Sequence, residues 1–528
     1  MRVLVSDKFS DKGLEILRAT PGLEVDYRTG LPLDQLVDAI ATADALIVRS
    51  STQVTADLIA KAPKLRAVGR AGAGVDTIDM NAANKRGIVV MNTPGGNNVA
   101  AAEHAIAMMM ALSRRIPQAD AALKAGRWEK SKFMGVEVTD KTLGVVGYGN
   151  IGRVVADRGV GLGMRVLVHD PFVTDEKIRE AHATPATFDE LVAQSDYITV
   201  HVPKSDKTMN LINAAVIAKM KKGVRIINCA RGGIVNETDL LEALKSGRVA
   251  GAALDVFVKE PVTDSPLFAL ENIVVTPHLG ASTSEAQDNV AIAISHQIID
   301  YLQKGVIVNA VNTPKVAPEL QLRMEPLLRL TTKMASLLGQ LLDRAPHTLK
   351  LFLGGEFAAF PEAPVQIAAL LGLLHHFGDA EILNAVNAPI LAKERGIEIA
   401  VSKREALTDY ANVVSLTAVF EDSEFGVHAS IPARGEERIV QIGKFPCSLE
   451  PEGRMIVMAN KDVPGVVGEV GALLGQRGIN IGQMRLGRNK GDADALMVVA
   501  VDNPVDADTL AALNKLPHVM SAKLAVLD

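Results

Sequence analysis

The chain has 528 residues, of which 48% are hydrophobic, 22% charged and only 4% aromatic, and its 56 basic side chains face 61 acidic ones for a net charge of −5. That length implies roughly three or four domains of about 150 residues, enough for several aliphatic cores. The charge balance, without any basic block, argues against a nucleic-acid groove, and no apolar run reaches the ~18 residues of a membrane span.

The first residues, MRVLVSDKFS, lack the apolar core of a secretion signal. Cys229 and Cys447, the only cysteines, are far apart in sequence and suggest no disulfide framework, so a reducing cytoplasm is the expected compartment.

In chain order, 3–6 is expected as a strand, 11–18 as a helix opened by an acidic cap, 33–42 as a helix and 45–48 as a strand closing at Arg49-Ser50-Ser51. That alternation is the spacing of parallel α/β units. It continues through a helix at 56–62, a strand at 67–69 and the cluster Arg70-Ala71-Gly72-Ala73-Gly74-Val75-Asp76. No acid-terminated strand follows those glycines at dinucleotide spacing, so they read as a tight strand-to-loop junction. After a strand at 88–91 comes the polar loop Asn92-Thr93-Pro94-Gly95-Gly96-Asn97-Asn98, then a long apolar helix from 100 to about 115. Its methionine run, Met108 to Met110, and His104 read as packing residues. Trp128, the single tryptophan, is expected at a lobe or subunit contact.

Residues 143–146 read as a short buried strand, and Gly147-Tyr148-Gly149-Asn150-Ile151-Gly152 as a turn opening into a helix at 153–161. In such a turn Gly147 permits the bend, Gly149 lets backbone approach a pyrophosphate and Gly152 lets helix and strand pack closely. The helix start then offers free N–H groups and a positive dipole end to phosphates. A second β-branched run, 164–168, ends at Asp170, an acid suited to the adenosine ribose hydroxyls. No Arg or Lys stands beside it to hold a 2′-phosphate, so NAD is expected rather than NADP.

Strands at 197–200, 226–229, 252–255 and 273–276 then alternate with helices such as 213–219 and 237–245. Ligands gather at the carboxyl ends of such strands, where His201, Pro203, Ala230, Arg231, Asp255, His278, Leu279, Gly280 and Ala281 fall. A helix at 285–304, ending at Gly305, is expected to return the chain to the first unit. Two crossings, near 98–102 and 285–290, predict two lobes with a cleft between them.

Three residues stand out for that cleft: Arg231 in NCARGGIV, Glu260 in VKEPV and His278 in TPHLGAST. Taking a hydride from a 2-hydroxy acid needs a base for the hydroxyl proton and a cation for the carboxylate. A histidine whose tautomer and basicity are set by a carboxylate supplies the first, and the planar fork of arginine the second.

Taken together, AGAGVD at 71–76, GVVGYGNIG at 144–152, INCARGGIVNE at 227–237, AALDVFVKEPV at 252–262 and VVTPHLGASTSEAQ at 274–287 resemble the D-isomer-specific 2-hydroxyacid dehydrogenases, over residues 1 to about 315. The resemblance implies two Rossmann-like doubly wound lobes: a substrate-binding lobe from 1–98 and 286–315, and an NAD-binding lobe from 99–285. It implies that Arg231 orients substrate, that Glu260 partners His278, and that His278 carries the proton. It also implies cofactor contacts at Gly147, Gly149, Asn150, Ile151, Gly152, Asp170, Val202, Cys229, Ala230, Asp255 and Gly280. Substrate contacts are expected at Arg49, Ser50, Arg70, Gly72 and Asn97, with Lys130 and Lys132 as weaker candidates for a phosphate. Within the family the long form is expected, an oxidation of 3-phospho-D-glycerate to 3-phosphohydroxypyruvate that opens L-serine synthesis. Another D-2-hydroxy acid, or a non-catalytic NAD-sensing role, is the alternative.

Beyond 315 the pattern changes. Helices at 317–342 and 364–377 and strands at 348–354, 397–401, 413–420 and 425–431 predict an α/β unit, 316–452, without a catalytic set, where the resemblance places an intervening regulatory domain and leaves Arg438 and Lys444 as weak anion-site candidates. The last 76 residues, 453–528, read as βαββαβ, the ferredoxin-like order. Their DVPGVVGEVGALLGQRGINI resembles ACT regulatory domains, which implies a homo-oligomer, dimer or tetramer, with L-serine held through Asn460, Asp462 and Asn480.

Overall fold

The computed structural model describes residues 1–378, 382–405, 410–432, 435–489 and 491–527, which form four sheets. The first is built from β1 (Arg2–Val5), β2 (Glu24–Tyr27), β3 (Ala45–Val48), β4 (Ala67–Arg70) and β5 (Val89–Asn92) in the order β2-β1-β3-β4-β5, parallel throughout. Every residue of β3 and β5 is buried, because helices cover both faces of such a sheet and its strands are apolar runs rather than alternations. Edge strand β2, Glu-Val-Asp-Tyr, lacks that signal and was not legible in the sequence.

The second sheet comprises β6 (Thr142–Val146), β7 (Arg165–His169), β8 (Thr184–Pro185), β9 (Tyr197–Val200), β10 (Val224–Asn228), β11 (Val249–Leu254) and β12 (Ile273–Val275), ordered β12-β11-β10-β9-β6-β7-β8 and again parallel. The strand order reverses between β6 and β9, so a crevice opens beyond their carboxyl ends.

Two long helices join the lobes. Asn98–Arg114 buries Ala101, Ala102, Ala105, Met108, Met109 and Leu112, the packing role expected of the methionines. It stops where Arg115 turns left-handed, at φ 53°, and a separate helix, Ile116–Lys124, follows that the sequence did not reveal. Ser284–Lys304 is capped by the Thr283 side chain, which accepts from Ala286 N, and ends at Gly305 with φ 70°. Its Val290, Ala291, Ile294, Ile298 and Leu302 close the core of the first lobe.

The third sheet, β14-β13-β15-β16-β17-β18, contains β13 (Thr348–Gly355), β14 (Glu398–Arg404), β15 (Asn412–Val419), β16 (Glu424–Ser430), β17 (Arg438–Ile442) and β18 (Phe445–Leu449), all antiparallel except the β13–β14 pair. The last two strands and helix Ala388–Glu394 were not expected. The fourth sheet, β20-β21-β19-β22, is antiparallel and made of β19 (Gly453–Lys461), β20 (Ile481–Arg488), β21 (Asp494–Val501) and β22 (Val519–Leu527), with helices Val466–Gln476 and Ala507–Leu513 completing βαββαβ. One face of it, Met455, Val457, Leu496, Val498, Ala525 and Leu527, shares a single apolar core with the third sheet. No helix among the described residues is long and apolar enough to cross a membrane.

Candidate active site

Between the two N-terminal lobes lies a cavity of about 1340 Å³, bounded by the carboxyl ends of both parallel sheets. His278, Glu260 and Arg231 line it, as do Arg49, Ser50, Arg70, Gly72 and Asn97 from the first lobe and Ile151, Val202, Cys229, Ala230 and Gly280 from the second. Parallel strands deliver loops from both lobes to one place, which is how residues more than 200 positions apart come to share a wall.

The sharpest local geometry is at His278. Its Nδ1–H donates to Glu260 Oε2 at 2.6 Å, while Glu260 Oε1 accepts from Phe257 N at 2.9 Å. The histidine backbone is left-handed, φ 54°, and its N–H is fixed by Asp255 O at 2.9 Å. A β-carbon at such a φ costs energy, and backbone outliers of this kind gather at working sites. The bond to Glu260 holds the imidazole above its ordinary 6.5, outweighing the opposing effects of burial and of the Arg231 charge. For Glu260, burial pulls the carboxyl up, but the bonds from His278 and Phe257 N prevail and keep it below its ordinary range. With Nδ1 committed to the carboxylate, Nε2 is the nitrogen left for chemistry.

Arg231 follows β10. Its Nε donates to Asp76 Oδ2 at 3.1 Å and its Nη1 to Ala230 O at 2.7 Å. Asn228 locks this loop from both sides, donating to Arg231 O and accepting from Ala230 N, each at 3.0 Å. In the first lobe Asp7 plays the matching part: its carboxylate accepts from Arg49 N, Ser51 N, Thr52 N and Thr52 Oγ1 at 2.6 to 3.3 Å. Arg70 is pulled down to about 10, chiefly by burial and next by the neighbouring Arg49 charge. Arg70 Nε and Asn97 Oδ1 are buried without a hydrogen-bond partner among the described residues. Orphaned polar atoms beside excess positive charge mark a wall suited to an anionic, polar ligand.

The glycine turn adjoins this cavity. Gly147 has φ 94°, and a β-carbon at Gly152 would lie 1.9 Å from Gly147 O, so the helix must pack directly on the turn. The helix begins at Asn150, not at 153 as expected, because Gly149 takes the cap position and Asn150, Ile151 and Gly152 form the first turn. Space around Gly149 is open to 4 Å. Asp170 steadies the turn by accepting from Tyr148 N at 2.7 Å and Phe172 N at 2.8 Å. The open turn and a helix start whose first N–H groups have no protein partner among the described residues fit the phosphates of a dinucleotide.

Other expected residues stand apart. Asp255 is fully buried: Thr276 Oγ1, Leu279 N and Gly280 N donate to it, and His104 Nε2 lies 3.2 Å away, so it braces the loop that carries His278. Gly147, Gly149, Asn150 and Gly152 form the adjoining turn, and Asp170, after β7, braces it; none of the five lines the cavity. Lys132 pairs with Glu129 at 2.6 Å, and neither it nor Lys130 reaches the cavity. Trp128 is 83% exposed, so it packs against neither lobe. Arg438 is paired with Glu436 and Glu450, and Lys444 with Asp492, so neither offers an unopposed charge to an anion. In the last domain Asn460 is buried with its Nδ2 on Lys461 O, Asp462 pairs with Arg488 at 2.6 Å, and Asn480 bonds Asp502. Asp76, Gln53 and Lys204 line the cavity and were missed, as was Asp7, which braces the loop that carries Arg49.

Known proteins resemble this chain along nearly its whole length. Residues 106–280 match the D-isomer specific 2-hydroxyacid dehydrogenase NAD binding domain, 323–443 the D-3-phosphoglycerate dehydrogenase intervening domain and 454–518 the ACT domain. D-3-phosphoglycerate dehydrogenase of Synechocystis sp. is 41% identical over 99% of this chain and 94% of its own, and that of Archaeoglobus fulgidus is 42% identical over 99% of both. Among solved structures, D-lactate dehydrogenase from Aquifex aeolicus, complexed with NAD and lactic acid, is 28% identical and covers 60% of this chain and 100% of its own, with a TM-score of 0.52. A glyoxylate reductase from Paecilomyes thermophila covers 61% of this chain and 99% of its own at 28% identity and a TM-score of 0.54. The chain therefore belongs to the D-3-phosphoglycerate dehydrogenase family, within the D-isomer-specific 2-hydroxyacid dehydrogenases and with both an intervening and an ACT domain.

Proposed function

We propose that this chain oxidises 3-phospho-D-glycerate at C2 with NAD, and that Arg231, Glu260 and His278 carry the chemistry. The observation that supports it most is the single cavity in which a carboxylate-bound histidine shares the wall with Arg49, Arg70 and Arg231. Bound NAD supplies the hydride acceptor, held at the turn from Gly147 to Gly152. His278 Nε2 takes the C2 hydroxyl proton, and Glu260 stabilises the imidazolium that results. The guanidinium of Arg231 orients the substrate carboxylate and polarises the 2-oxygen as it becomes a carbonyl. Arg49 and Arg70, with Ser50, Gly72 and Asn97, receive the phosphate end, where excess positive charge favours a dianion.

In this reading 1–98 and 286–315 bind substrate, 99–285 bind NAD, 316–452 and 453–528 regulate, and the chain works as a homo-oligomer. The ACT domain takes L-serine, the end product of the pathway that this oxidation opens, near Asn460, Asp462 and Asn480. Steady-state NADH formation from 3-phospho-D-glycerate, D-glycerate and D-lactate, each with and without serine, tests all of it. Preference for an unphosphorylated acid would remove the substrate assignment, and indifference to serine the regulatory one.

A further inference from the structure

Asp76 is the unexplained charge in this cavity. A carboxylate beside a site for an anionic substrate costs binding, yet Asp76 lines the wall with its side chain 59% exposed. It belongs to the first lobe, on the loop between β4 and helix Met80–Lys85, whereas Arg231 follows β10 of the second. Their 3.1 Å contact therefore crosses the cleft.

Both ends of that bridge are anchored. The Asp76 loop is tied to the end of β5 by Thr93 Oγ1, which accepts from Gly72 N at 2.9 Å, and by Asn92 Nδ2, which donates to Ala73 O at 2.6 Å. The Arg231 loop is held by Asn228. Between them the chain has no side chain in the way: a β-carbon at Gly74 would fall 2.2 Å from Arg231 Nη2 and 2.8 Å from Asp76 Oδ2. With Nε on Asp76 and one N–H of Nη1 on Ala230 O, the guanidinium plane is fixed, and its remaining Nη1 and Nη2 hydrogens have no protein partner among the described residues. Those are the donors a substrate carboxylate and 2-oxygen require.

We propose that Asp76 is a positioning residue for Arg231, reaching from the substrate lobe to set the guanidinium plane so that arginine orientation depends on how the two lobes meet. The inference rests on the role assigned to Arg231 above. Its energetic logic is that a planar fork held at Nε presents its other edge in one orientation, and misplacing such a group by about 1 Å costs on the order of 100-fold in rate. A lysine has no Nε to hold.

The test uses the full-length chain with Asp76→Asn, Asp76→Glu, Arg231→Lys and the Asp76→Asn/Arg231→Lys double variant, read by kcat, KM and NADH affinity from fluorescence. Asp76→Asn should lower kcat/KM by roughly 10-fold to 100-fold with NADH affinity unchanged, and Asp76→Glu should recover part of that loss. In the Arg231→Lys background the same Asp76→Asn change should cost far less, since the group it positions is gone. Equal costs in both backgrounds, or a fall in KM at unchanged kcat, would show that Asp76 merely repels the substrate and would overturn the proposal. A wild-type preference for another 2-hydroxy acid corrects the substrate assignment and leaves the coupling measurable with that acid.

Discussion

At His278 one bond decides the pH behaviour. Oxidation needs the imidazole neutral at the outset, so with its proton held above the ordinary 6.5 by Glu260, kcat/KM for oxidation should rise with pH through that raised value, and the reverse reduction should fall. Glu260→Gln removes the charge that stabilises the imidazolium, so the acid limb of the profile should move to lower pH; a limb that stays put would sink the pairing. His278→Ala should lose about 10²- to 10⁴-fold in turnover while NADH fluorescence titrations give an unchanged affinity. Near-normal turnover would remove His278 from the mechanism. Arg231, Glu260 and His278 were legible because each follows a strand in a motif with room for a ligand. Asp7 and Asp76 were not, since an acid that receives backbone N–H groups or an arginine from elsewhere in the chain looks like any surface acid until the chain folds.

Among the elements, the glycine turn is the one whose geometry is least tolerant. Gly152 packs its α-carbon on Gly147 O, and a β-carbon 1.9 Å from that oxygen cannot be accommodated by rotating a side chain. Gly152→Ala should therefore shift the helix Asn150–Gly161 off the strand, cost roughly 1–3 kcal/mol by the usual scale of overpacking, and weaken NADH binding. Calorimetry and a fluorescence titration measure the two effects, and an unchanged affinity would contradict the packing argument. Strands such as β3 and β9 were found at their true limits from apolar runs alone. Edge strand β2 and strands β17 and β18 were not, because polar or interrupted strands depend on their neighbours more than on their own pattern.

On the scale of the whole molecule, the shared core of the third and fourth sheets makes a further prediction. A chain ending at 452 loses Met455, Val457, Leu496, Val498, Ala525 and Leu527 from that core, so its intervening unit should unfold at a lower temperature than in the full chain. A chain ending at 315 avoids that exposed face, and it should keep dehydrogenase activity while losing any response to serine; retained sensitivity would place the effector elsewhere. The sequence by itself determined the parallel α/β lobes, the dinucleotide turn and the ferredoxin-like tail, because these rest on local periodicity and on glycines at fixed spacing. Only the tertiary structure decided that the tail and the intervening unit share one core, that Asp255 is walled in behind the His278 loop, and that Asp76 meets Arg231 across the cleft. Each of those depends on contacts between segments distant in sequence, and no local pattern encodes a partner that arrives from another lobe.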